Sequence, residues 1–370
     1  MRTRRIVITG ADGFIGRNLA VRLGEVGDVV LPLTRASNAD DWYGAIAGAD
    51  AVVHLAGANR PADPNDFMAI NAGTADLLAA SVIAAKRAIP VIYASSAKAL
   101  DDSDYGRSKR AGEDCLLTLT EQTGSPVYIF RLPNVFGKWA QPNYNSAIAT
   151  FCHNIAREMP IRIDDPAAPL SLFYIDDAVQ AFLDVLDGKM PTGIVAASPV
   201  YSTTLGAVVD ILRGFRSDRD DNLIDQVGTG LKRALYATYV AALPPSAFSY
   251  PIVSHQDPRG AFSEMLKTRT SGQFSYFTAH PGVTRGGHYH HTKTEKFLIV
   301  HGNALFRFRH IVSGETHEIR TSGSRPVIVE TVPGWTHDVT NVGEDMMISM
   351  LWANEIFDRD RPDTVTAKVD

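Results

Sequence analysis

The stretch "RIVITGADGFIG", residues 5–16, decides the fold of the first part of the chain. Its first residues read as a short β-branched strand, and apolar residues recur at helical spacing after the glycines. Glycines between a strand and a helix allow a tight turn and let backbone amides approach a pyrophosphate at the helix N-terminus. The order of these features predicts a dinucleotide-binding loop. Its residues are Gly10, Gly13, Phe14, Ile15 and Gly16.

The alternation of strand-like and helix-like segments continues beyond this loop to about residue 215. Apolar runs such as "AVVHLAG" (51–57) and "PVIYAS" (90–95) are separated by helical patterns. Strands that alternate with helices predict a doubly wound parallel sheet of the Rossmann type, covered on both faces. The charge-rich stretch at 213–222 is expected to be solvated.

The predicted secondary structure changes at a proline-bounded break, residues 244–251. Short β-rich runs separated by glycine and proline turns then replace the helical rhythm, which predicts a small all-β barrel or jelly roll. We therefore expect a nucleotide-binding domain at 1–248 and a barrel domain at 249–370. A length of 370 residues agrees with two cores rather than one.

Composition and charge argue against several classes of protein. The chain is 45% hydrophobic and 21% charged with a net charge of −5, which is typical of a soluble globular protein and argues against nucleic acid as a partner. We find no run of ~18 apolar residues and no signal-peptide pattern, so we expect no membrane span and a cytoplasmic location. Cys115 and Cys152 are expected to be reduced thiols.

An arginine, Arg35, follows the second predicted strand. Sites that prefer NAD usually place an acidic residue at this point for the ribose hydroxyls, whereas an arginine can pair with a 2′-phosphate. The sequence therefore favours NADPH over NADH as the cofactor.

A tyrosine and a lysine in "DYGRSK" (104–109) are spaced to share one face of a helix. The ammonium of Lys109 is expected to lower the pKa of Tyr105, which can donate a proton to a carbonyl oxygen while hydride arrives at the carbon. Ser95 and Ser96 end the fourth predicted strand, at the edge where parallel sheets bind ligands. A serine hydroxyl there can hydrogen-bond the same carbonyl, so the pattern predicts a reductase centre.

Residues 5 to about 215 resemble the extended short-chain dehydrogenase/reductase family, through "TGADGFIG", "AVVHLAG", "INAGTADLL", "YASSAKAL", "YGRSK", "RLPNVFG" and "FYIDDAV". The resemblance implies that Ser96, Tyr105 and Lys109 are catalytic and that Asn71 lies on the helix that supports the lysine. It also implies action on nucleotide-linked sugars. By the same resemblance the other cofactor contacts are Leu55, Ala56, Gly57, Pro133 and Asn134.

One stretch departs from the pattern of that family. Members that act on sugar nucleotides often carry an arginine shortly before the "YI" of "FYIDD", and this chain has "PLSLFYIDD" instead. Lys138 and Asn143 are therefore the candidates for holding the nucleotide.

The barrel region carries the spacing G-x5-H-x-H-x4-E-x6-G from Gly282 to Gly302, followed by H-x3-N in "HDVTN". Both spacings resemble the cupin superfamily. Because alternate residues of a strand point to the same side, the two histidines of the first motif converge, and the third arrives from a later strand. Three imidazoles and a carboxylate predict a site for zinc or another divalent ion. The four candidate ligands are His288, His290, Glu295 and His337.

A second resemblance overlaps the first. "DPRGAFSE", "GQFSYF" and "GVTRGGHYH" resemble the sugar-nucleotide 3,5-epimerases, which are metal-free cupins. This likeness implies that His288 is a catalytic base, whereas the metal interpretation makes it a ligand, so both roles stay open. His291 is expected to point out of the barrel by strand alternation. The substrate contacts that this likeness implies are Arg259, Phe262, Glu264 and Gln273.

Ketone chemistry links the two predicted sites. A proton beside a carbonyl can be removed and returned on the other face, and reduction of the ketone then fixes the product. Over nearly its full length the chain resembles the bifunctional capsular-polysaccharide enzymes of UDP-N-acetyl-L-fucosamine precursor synthesis, including "GGHYHHTKTEKF" and "WANEIFDRDRPDT". That resemblance implies a UDP-2-acetamido-2,6-dideoxy-4-ketohexose, epimerised at C3 in the barrel and reduced at C4 with NADPH to a UDP-2-acetamido-2,6-dideoxy-L-talose.

Two alternatives remain beside this interpretation. In the first, the barrel only joins two copies of the chain, and a single reduction remains. In the second, the chain is a non-catalytic sensor that binds NADP and sugar nucleotides. Both families that the chain resembles commonly form dimers, so we expect a homodimer.

Overall fold

The structure, a computed structural model, divides the chain into two compact units. Unit 1 comprises Met1–Arg213 and Gly230–Pro244, and unit 2 comprises Gly214–Thr229 and Pro245–Asp370. The last passage between the units falls within the proline-bounded break of the sequence. The residues that the structure describes are 3–59, 61, 63, 66–144 and 146–370.

The described part of unit 1 contains the strands β1 (Arg5–Thr9), β2 (Val29–Leu33), β3 (Ala51–His54), β4 (Val91–Ser96), β5 (Val127–Leu132), β6 (Asn134–Phe136), β7 (Pro169–Tyr174), β8 (Gly193–Val195) and β9 (Tyr201–Thr204). Six of them form a parallel sheet in the order β2-β1-β3-β4-β5-β8, and β6, β7 and β9 form a smaller sheet. The strand order reverses between β1 and β3. The loops that follow these two strands therefore lie side by side at the edge where such sheets bind ligands.

Helices cover the parallel sheet, whose central strands are buried as continuous apolar runs. Ile6, Val7 and Ile8 of β1 are fully buried, as a strand covered on both faces must be. The predicted doubly wound parallel sheet is confirmed. The helices are α1 (Phe14–Glu25), α2 (Ala39–Ala47), α3 (Asp66–Ala84), α4 (Asp104–Thr123), α5 (Ala147–Ile155), α6 (Ile175–Leu186), α7 (Leu205–Asp220) and α8 (Gly230–Ala241).

Helix α3 is the one helix among the described residues that is long and apolar enough to cross a membrane, with a mean hydropathy of 1.5. This result does not contradict the expectation of no apolar run of ~18 residues, because Asp66, Asn71 and Asp76 interrupt the apolar residues of the helix. Core helices pass the same test, because one of their faces is packed against a sheet. Leu78 and Val82 of α3 are fully buried in the core that also contains Val52 and Val91. These contacts account for the apolar character of α3 within the α/β fold.

The described strands of unit 2 are β10 (Leu223–Ile224), β11 (Ser254–Asp257), β12 (Gly260–Thr268), β13 (Gln273–Ala279), β14 (Thr284–Tyr289), β15 (Glu295–His301), β16 (Asn303–His310), β17 (Thr316–Ser322), β18 (Ile328–Glu330), β19 (Trp335–Asn341), β20 (Met347–Ala353) and β21 (Val365–Thr366). They pair antiparallel, apart from the parallel pair of β10 with β12. One sheet has the order β10-β12-β13-β20-β15-β18 with β11 paired to β12, and the other has the order β17-β16-β19-β14-β21. Aromatic residues, among them Phe277, Phe297 and Phe306, form its core. The predicted all-β C-terminal domain is confirmed.

The charge-rich stretch at 213–222 is exposed or partly exposed as expected, except at two buried residues. Helix α7 continues through it to Asp220, and both Phe215 and Asp218 are buried. Arg269 of the same unit donates a hydrogen bond to Asp218, although the two residues are 51 positions apart. A charge pattern that is local in sequence cannot reveal such a distant partner, which is why the burial of Asp218 was not expected.

Candidate functional site

The glycine loop of unit 1 connects β1 to α1. Gly10 has a φ of 67°, and a Cβ there would lie 2.9 Å from the amide nitrogen of Ala56. A Cβ on Gly16 would lie 2.4 Å from the carbonyl oxygen of Gly10. Gly13 donates its N–H to that carbonyl at 3.0 Å and precedes Phe14, the first residue of α1, without a side-chain cap. The close approaches require glycine, and the uncapped amides of α1 suit an anion.

The residues after β3 form a wall beside this loop. Leu55 and Ala56 each donate a backbone N–H to the Thr9 hydroxyl at 3.1 Å. The same hydroxyl lies 2.7 Å from Nδ1 of the buried His54. Because the hydroxyl already accepts two N–H groups, we assign its own proton to the bond with His54. The Thr9 side chain thus holds the backbone of Leu55 and Ala56 beside the glycine loop.

Asn71 of α3 joins this wall to helix α4. Its Oδ1 accepts the N–H of Ala58 at 2.8 Å, and its amide group donates to Ser108 Oγ at 2.9 Å. A Cβ on Gly57 would lie 2.7 Å from Asn71 Oδ1 and 3.7 Å from Lys109 Nζ. The structure therefore brings Gly57, Asn71 and Lys109 together.

Arg35, Pro133 and Asn134 each follow the carboxyl end of a strand of the parallel sheet. Arg35 is exposed, two residues beyond the end of β2. Pro133 lies between β5 and β6, and Asn134 opens β6, where its side chain donates to the carbonyl of Ser171 at 3.2 Å. This end of the strands is the ligand-binding side of open α/β sheets.

The two candidates for holding the nucleotide have partners within the chain. Lys138 forms an ion pair with Asp176, and Asn143 donates its backbone N–H to a threonine hydroxyl of α5 at 2.9 Å. Arg233 of α8, which the sequence did not single out, places its guanidinium 5.7 Å from the ring centre of Tyr174. A positive charge therefore does lie beside the "FYIDD" stretch, although it comes from a later helix.

Ser96, Tyr105 and Lys109 meet at the carboxyl end of β4. The Tyr105 hydroxyl donates to Asn59 Oδ1 at 3.2 Å, a contact that the sequence did not indicate. Burial raises the pKa of Tyr105, and a hydrogen bond with Ser96 only partly opposes this effect. The expected lowering of the tyrosine pKa by Lys109 is therefore wrong, since burial outweighs the favourable contacts.

The Lys109 ammonium is held between a backbone carbonyl and an aromatic ring. Its Nζ donates to the carbonyl oxygen of Ala94 at 2.8 Å and lies 4.6 Å from the ring centre of Tyr93. Burial lowers the pKa of Lys109 to about 8, and the Glu113 carboxylate opposes this lowering. Lys109 therefore keeps its positive charge at neutral pH and loses it in mildly alkaline solution.

An ion pair between Glu113 and Arg131 lies one helical turn from Lys109. Glu113 lies one turn after Lys109 on α4 and is 2% exposed. Arg131 of β5 donates to both of its carboxylate oxygens, with an Nη2–Oε2 distance of 2.7 Å, and Ser95 donates to Oε1. Ser95 is thus turned inward, which leaves Ser96 as the serine beside Tyr105. The four-residue spacing from Lys109 was an available signal for Glu113.

Unit 2 gathers the four candidate metal ligands. Strand β14 pairs with β19 so that His288 lies directly opposite His337, His290 follows β14, and Glu295 opens β15. Their ligand atoms all lie within 4.8 Å of one another. Nε2 of His290 and Nε2 of His337 lie 3.2 and 3.5 Å from the same Oε2 of Glu295.

The rings of His290 and His337 turn lone pairs toward Glu295. Nδ1 of His290 lies 2.5 Å from the carbonyl oxygen of Asp363, and Nδ1 of His337 lies 3.3 Å from that of Trp335. In a neutral ring Nδ1 therefore carries the proton, and Nε2 is an acceptor that faces a carboxylate. His337 Nε2 is buried without a hydrogen-bond partner in the described part of the chain. Converging acceptors fit a cation at the centre of the cluster.

The protonation states of the cluster agree with this geometry. Burial and the neighbouring rings of His337 and His290 lower the pKa of His288 to about 4. Burial acts to raise the pKa of Glu295, but it is outweighed by the hydrogen bonds that the two rings donate when Nε2 is protonated and by the ammonium of Lys293, and the net direction is down. A neutral imidazole and an ionised carboxylate are the forms that bind a divalent ion.

Two neighbours of the cluster lie in contrasting environments. His291 is exposed, in line with the alternation expected from the sequence. Lys293 is 8% exposed, and its Nζ lies 3.7 Å from Oε1 of Glu295. The sequence did not single out Lys293, although its place between ligands in "HHTKTE" was an available signal.

The four substrate contacts implied by the 3,5-epimerase resemblance have separate partners. Arg259 precedes β12 and forms an ion pair with Asp257 at 2.6 Å. Gln273 opens β13 and accepts an N–H from the segment after β20 at 3.1 Å. Phe262 packs against the aromatic core, and Glu264 lies 3.9 Å from a lysine of its own strand. They are therefore distributed along β12, β13 and the adjoining turn.

Family models match both parts of the chain. Residues 6–195 match the NAD dependent epimerase/dehydratase family. Residues 255–365 match the polysaccharide biosynthesis C-terminal domain. The first match contains the glycine loop and the residues around Tyr105, and the second contains the histidine–glutamate cluster.

Known proteins similar to the chain extend over both units. The chain is 53% identical over 367 residues to the UDP-2-acetamido-2,6-beta-L-arabino-hexul-4-ose reductase of Pseudomonas aeruginosa, covering 99% of each. The crystal structure of the capsular polysaccharide assembling protein CapF from Staphylococcus aureus has a TM-score of 0.92 at 39% identity, covering 98% of this chain and 100% of that one. A structure of CapF with the inhibitor 3-isopropenyl-tropolone has a TM-score of 0.85 at 37% identity, covering 99% and 100%.

Proposed function

The chain belongs to the NAD dependent epimerase/dehydratase family, and on that premise we propose that it is a bifunctional enzyme acting on a UDP-linked 4-keto-6-deoxy amino sugar. Unit 2 inverts C3 of this sugar, and unit 1 then reduces its C4 ketone. The observation that carries the reduction is whole-length similarity to a protein named as a UDP-2-acetamido-hexul-4-ose reductase. The grouping of Ser96, Tyr105 and Lys109 at the ligand-binding edge supports it.

The proposed substrate is a UDP-2-acetamido-2,6-dideoxy-4-ketohexose, and the proposed product is the UDP-2-acetamido-2,6-dideoxy-L-talose. The order of the two steps follows from their chemistry. The hydrogen on C3 is acidic only while C4 is a ketone, so inversion must precede reduction. Reduction then removes that acidity and prevents reversal.

We further propose a cytoplasmic location, since NADPH and sugar nucleotides are cytoplasmic metabolites. We also propose that the chain forms a homodimer, which sedimentation velocity tests.

Reduction requires a hydride and a proton that arrive at opposite ends of the carbonyl. Bound NADPH supplies the hydride to C4. Tyr105 donates its hydroxyl proton to the C4 oxygen, and Ser96 hydrogen-bonds the same oxygen. Because burial raises the pKa of Tyr105, the tyrosine is protonated and ready to act as an acid at neutral pH. The positive charge of Lys109 favours the phenolate that this donation leaves behind.

The exposed Arg35 supports NADPH rather than NADH. It follows the end of β2, where dinucleotide-binding folds contact the adenosine ribose. A guanidinium there can pair with the 2′-phosphate that distinguishes the two cofactors. The loop from Gly10 to Gly16 would hold the pyrophosphate at the start of α1.

The cluster of unit 2 fits a divalent ion, and we propose zinc. Bound zinc supplies a positive charge that stabilises negative charge on the substrate oxygen while the C3 proton is absent. Imidazole and carboxylate ligands in this number suit zinc. CapF is known with a tropolone inhibitor, and tropolones carry adjacent carbonyl and hydroxyl oxygens that chelate divalent ions. His288 then either completes the coordination or moves the proton at C3.

Solvent exchange tests the epimerase without help from the reductase. We expect the purified chain, incubated with the 4-keto sugar nucleotide in heavy water without NADPH, to introduce deuterium at C3. Added NADPH should then be oxidised in equal amount to the C4 alcohol formed. Oxidation of NADPH without exchange would instead support a reductase with a structural barrel, a second candidate that the relative's name favours because it states only the reduction.

Elemental analysis and one substitution separate the two roles of His288. We expect about one zinc per chain in the wild type. If His288 is a ligand, His288→Asn weakens zinc binding together with C3 exchange. If His288 is the base, zinc binding stays near the wild-type value while exchange is lost.

A further inference from the structure

The segment from Asp363 to Asp370 runs alongside the histidine–glutamate cluster of unit 2. Strand β21 pairs with β14 so that Thr366 lies opposite His288. Beyond it, Arg309 donates to the carbonyl oxygens of Val369 at 3.0 Å and of the preceding residue at 2.6 Å. The segment is thus tied to the sheet that carries two of the four proposed ligands.

The first residue of this segment, Asp363, organises the turn between two ligands. Its carboxylate accepts the backbone N–H groups of His291 at 2.9 Å, Thr292 at 2.7 Å and Lys293 at 2.8 Å. It also accepts the Thr292 hydroxyl at 3.0 Å. One side chain therefore fixes the backbone that leads from His290 to Glu295.

The same segment contacts one proposed ligand, His290, directly and a second, Glu295, through Lys293. The backbone carbonyl of Asp363 accepts the Nδ1 proton of His290 at 2.5 Å, which leaves Nε2 free to face the cluster. The hydroxyl of Thr364 accepts a hydrogen bond from Lys293 Nζ at 3.3 Å, and that ammonium lies 3.7 Å from Oε1 of Glu295.

We propose that Asp363 is a positioning residue of the cluster, which sets the ring orientation of His290 and the place of Lys293 beside Glu295. The proposal rests on the proposed metal-binding function of unit 2. Residues that orient metal ligands from outside the coordination sphere typically change metal affinity 10–100-fold when substituted. Asp363 lies far from the cluster motifs in sequence, yet it makes the contacts that give the turn at 291–293 its shape.

The test is a cobalt(II) titration of the full chain against a competing chelator, with Co²⁺ as a spectroscopic stand-in for Zn²⁺. Asp363→Asn keeps the size of the side chain but presents an amide to three N–H donors. We expect it to weaken Co²⁺ binding about 10–100-fold and to alter the visible spectrum of bound Co²⁺. Asp360→Asn, an exposed neighbour in the same region, is the matched control and should bind as the wild type does.

A second variant addresses loss of folding. Thr364→Val leaves the Asp363 carboxylate and carbonyl in place and removes only the acceptor of Lys293. We expect a smaller loss of affinity, below about 10-fold, with unchanged thermal unfolding of the metal-free chain. Wild-type affinity and spectrum in both variants would overturn the positioning role while the metal site stands. A wild-type chain that binds no Co²⁺ would overturn the proposed metal site itself, and the positioning role with it.

Discussion

The two candidate sites present opposite kinds of hydrogen-bonding groups. The site of unit 1 presents donors, namely the hydroxyls of Ser96 and Tyr105 and the ammonium of Lys109. The cluster of unit 2 presents acceptors, since Nδ1 of His290 and of His337 donates to a backbone carbonyl and leaves the Nε2 lone pair facing Glu295. A donor-rich site can deliver a proton to a ketone oxygen and hold negative charge, whereas an acceptor-rich site binds a cation. With the proposed function, one chain thus has two different means of polarising the same carbonyl group.

The sites also differ in what orients their side chains. In unit 1 an ion pair between Glu113 and Arg131 links the helix that carries Tyr105 and Lys109 to strand β5. In unit 2 backbone carbonyl groups orient the rings of the cluster. Substitutions should therefore act on one site without changing the other, and the predictions below test that independence.

The largest effect expected is on hydride transfer. Tyr105→Phe removes the proton donor but leaves the ring and its packing in place, so we expect reduction to fall between ~100-fold and ~10,000-fold. Exchange of the C3 proton in heavy water should stay at the wild-type rate, because it needs only the cluster of unit 2. NADPH oxidation and deuterium incorporation measure the two activities separately.

The control is Tyr43→Phe, which removes the hydroxyl of a tyrosine that is 38% exposed. It should leave both activities unchanged. Near-normal reduction by the Tyr105 variant would contradict the donor role and make the comparison of the two sites invalid. Loss of exchange in that variant would show that the sites depend on each other.

The components of both sites that sequence could predict are those set by spacing. The Tyr105–Lys109 interval places both residues on one helical face, and the glycine loop follows from a strand, a turn and a helix in order. In unit 2 strand alternation predicts that histidines two residues apart converge, although β14 itself ends at Tyr289, one residue before His290. These rules use only neighbouring residues, and both fold classes followed from the same rules of periodicity.

The supporting contacts could not be predicted because they join distant parts of the chain. Arg131 meets Glu113 only because helix α4 packs against strand β5. Asp363 meets the turn after His290 only because β21 pairs with β14. The pKa of Tyr105 likewise depends on burial, a property of the folded unit that outweighs the hydrogen bond with Ser96.

The buried ion pair of unit 1 should show an asymmetry between its partners. Arg131→Met leaves the Glu113 carboxylate buried without its counter-ion, which costs about 3 kcal/mol in the free energy of unfolding. Because the Arg131 side chain is 27% exposed, the lower end of the usual range applies. Glu113→Gln leaves a guanidinium that can reach solvent, so we expect a loss of about 1–2 kcal/mol. Urea titration, with hydrogen exchange of β4 and α4 as the readout, measures the free energy of unfolding of both variants.

The matched control is Arg22→Met, which breaks an exposed pair with Glu25 on α1. Exposed pairs contribute little, and we expect a change within about 0.5 kcal/mol. Equal losses for Arg131→Met and Glu113→Gln would contradict the idea that an uncompensated buried carboxylate dominates. Neither variant should change cobalt(II) binding by unit 2.

A smaller effect is expected on the choice of cofactor. Arg35→Ser removes the guanidinium proposed to pair with the 2′-phosphate, and we expect NADPH to bind about 10-fold more weakly, or ~1.4 kcal/mol. NADH binding should not change, because NADH lacks that phosphate. Quenching of nucleotide fluorescence gives both dissociation constants. Arg22→Ser, an exposed arginine of α1, is the control, and equal loss of NADPH and NADH affinity would contradict the pairing.

The smallest effect is a displacement of the pH profile. Burial lowers the pKa of Lys109 to about 8, so the ammonium is lost, and kcat/KM for reduction should fall, as pH rises through about 8. Folding cannot explain that fall. The unfolded chain still binds the lysine proton between about pH 8 and the ordinary lysine pKa of 10.5, so this group makes folding more favourable as pH rises across that window.

Glu113 raises the pKa of Lys109, and Glu113→Gln should therefore move the alkaline limb to lower pH. If the alkaline limb stays at the same pH in Glu113→Gln, Glu113 does not influence the pKa of Lys109 and has a purely structural role. The C3 exchange rate of unit 2 should have the same pH profile in the wild type and in Glu113→Gln.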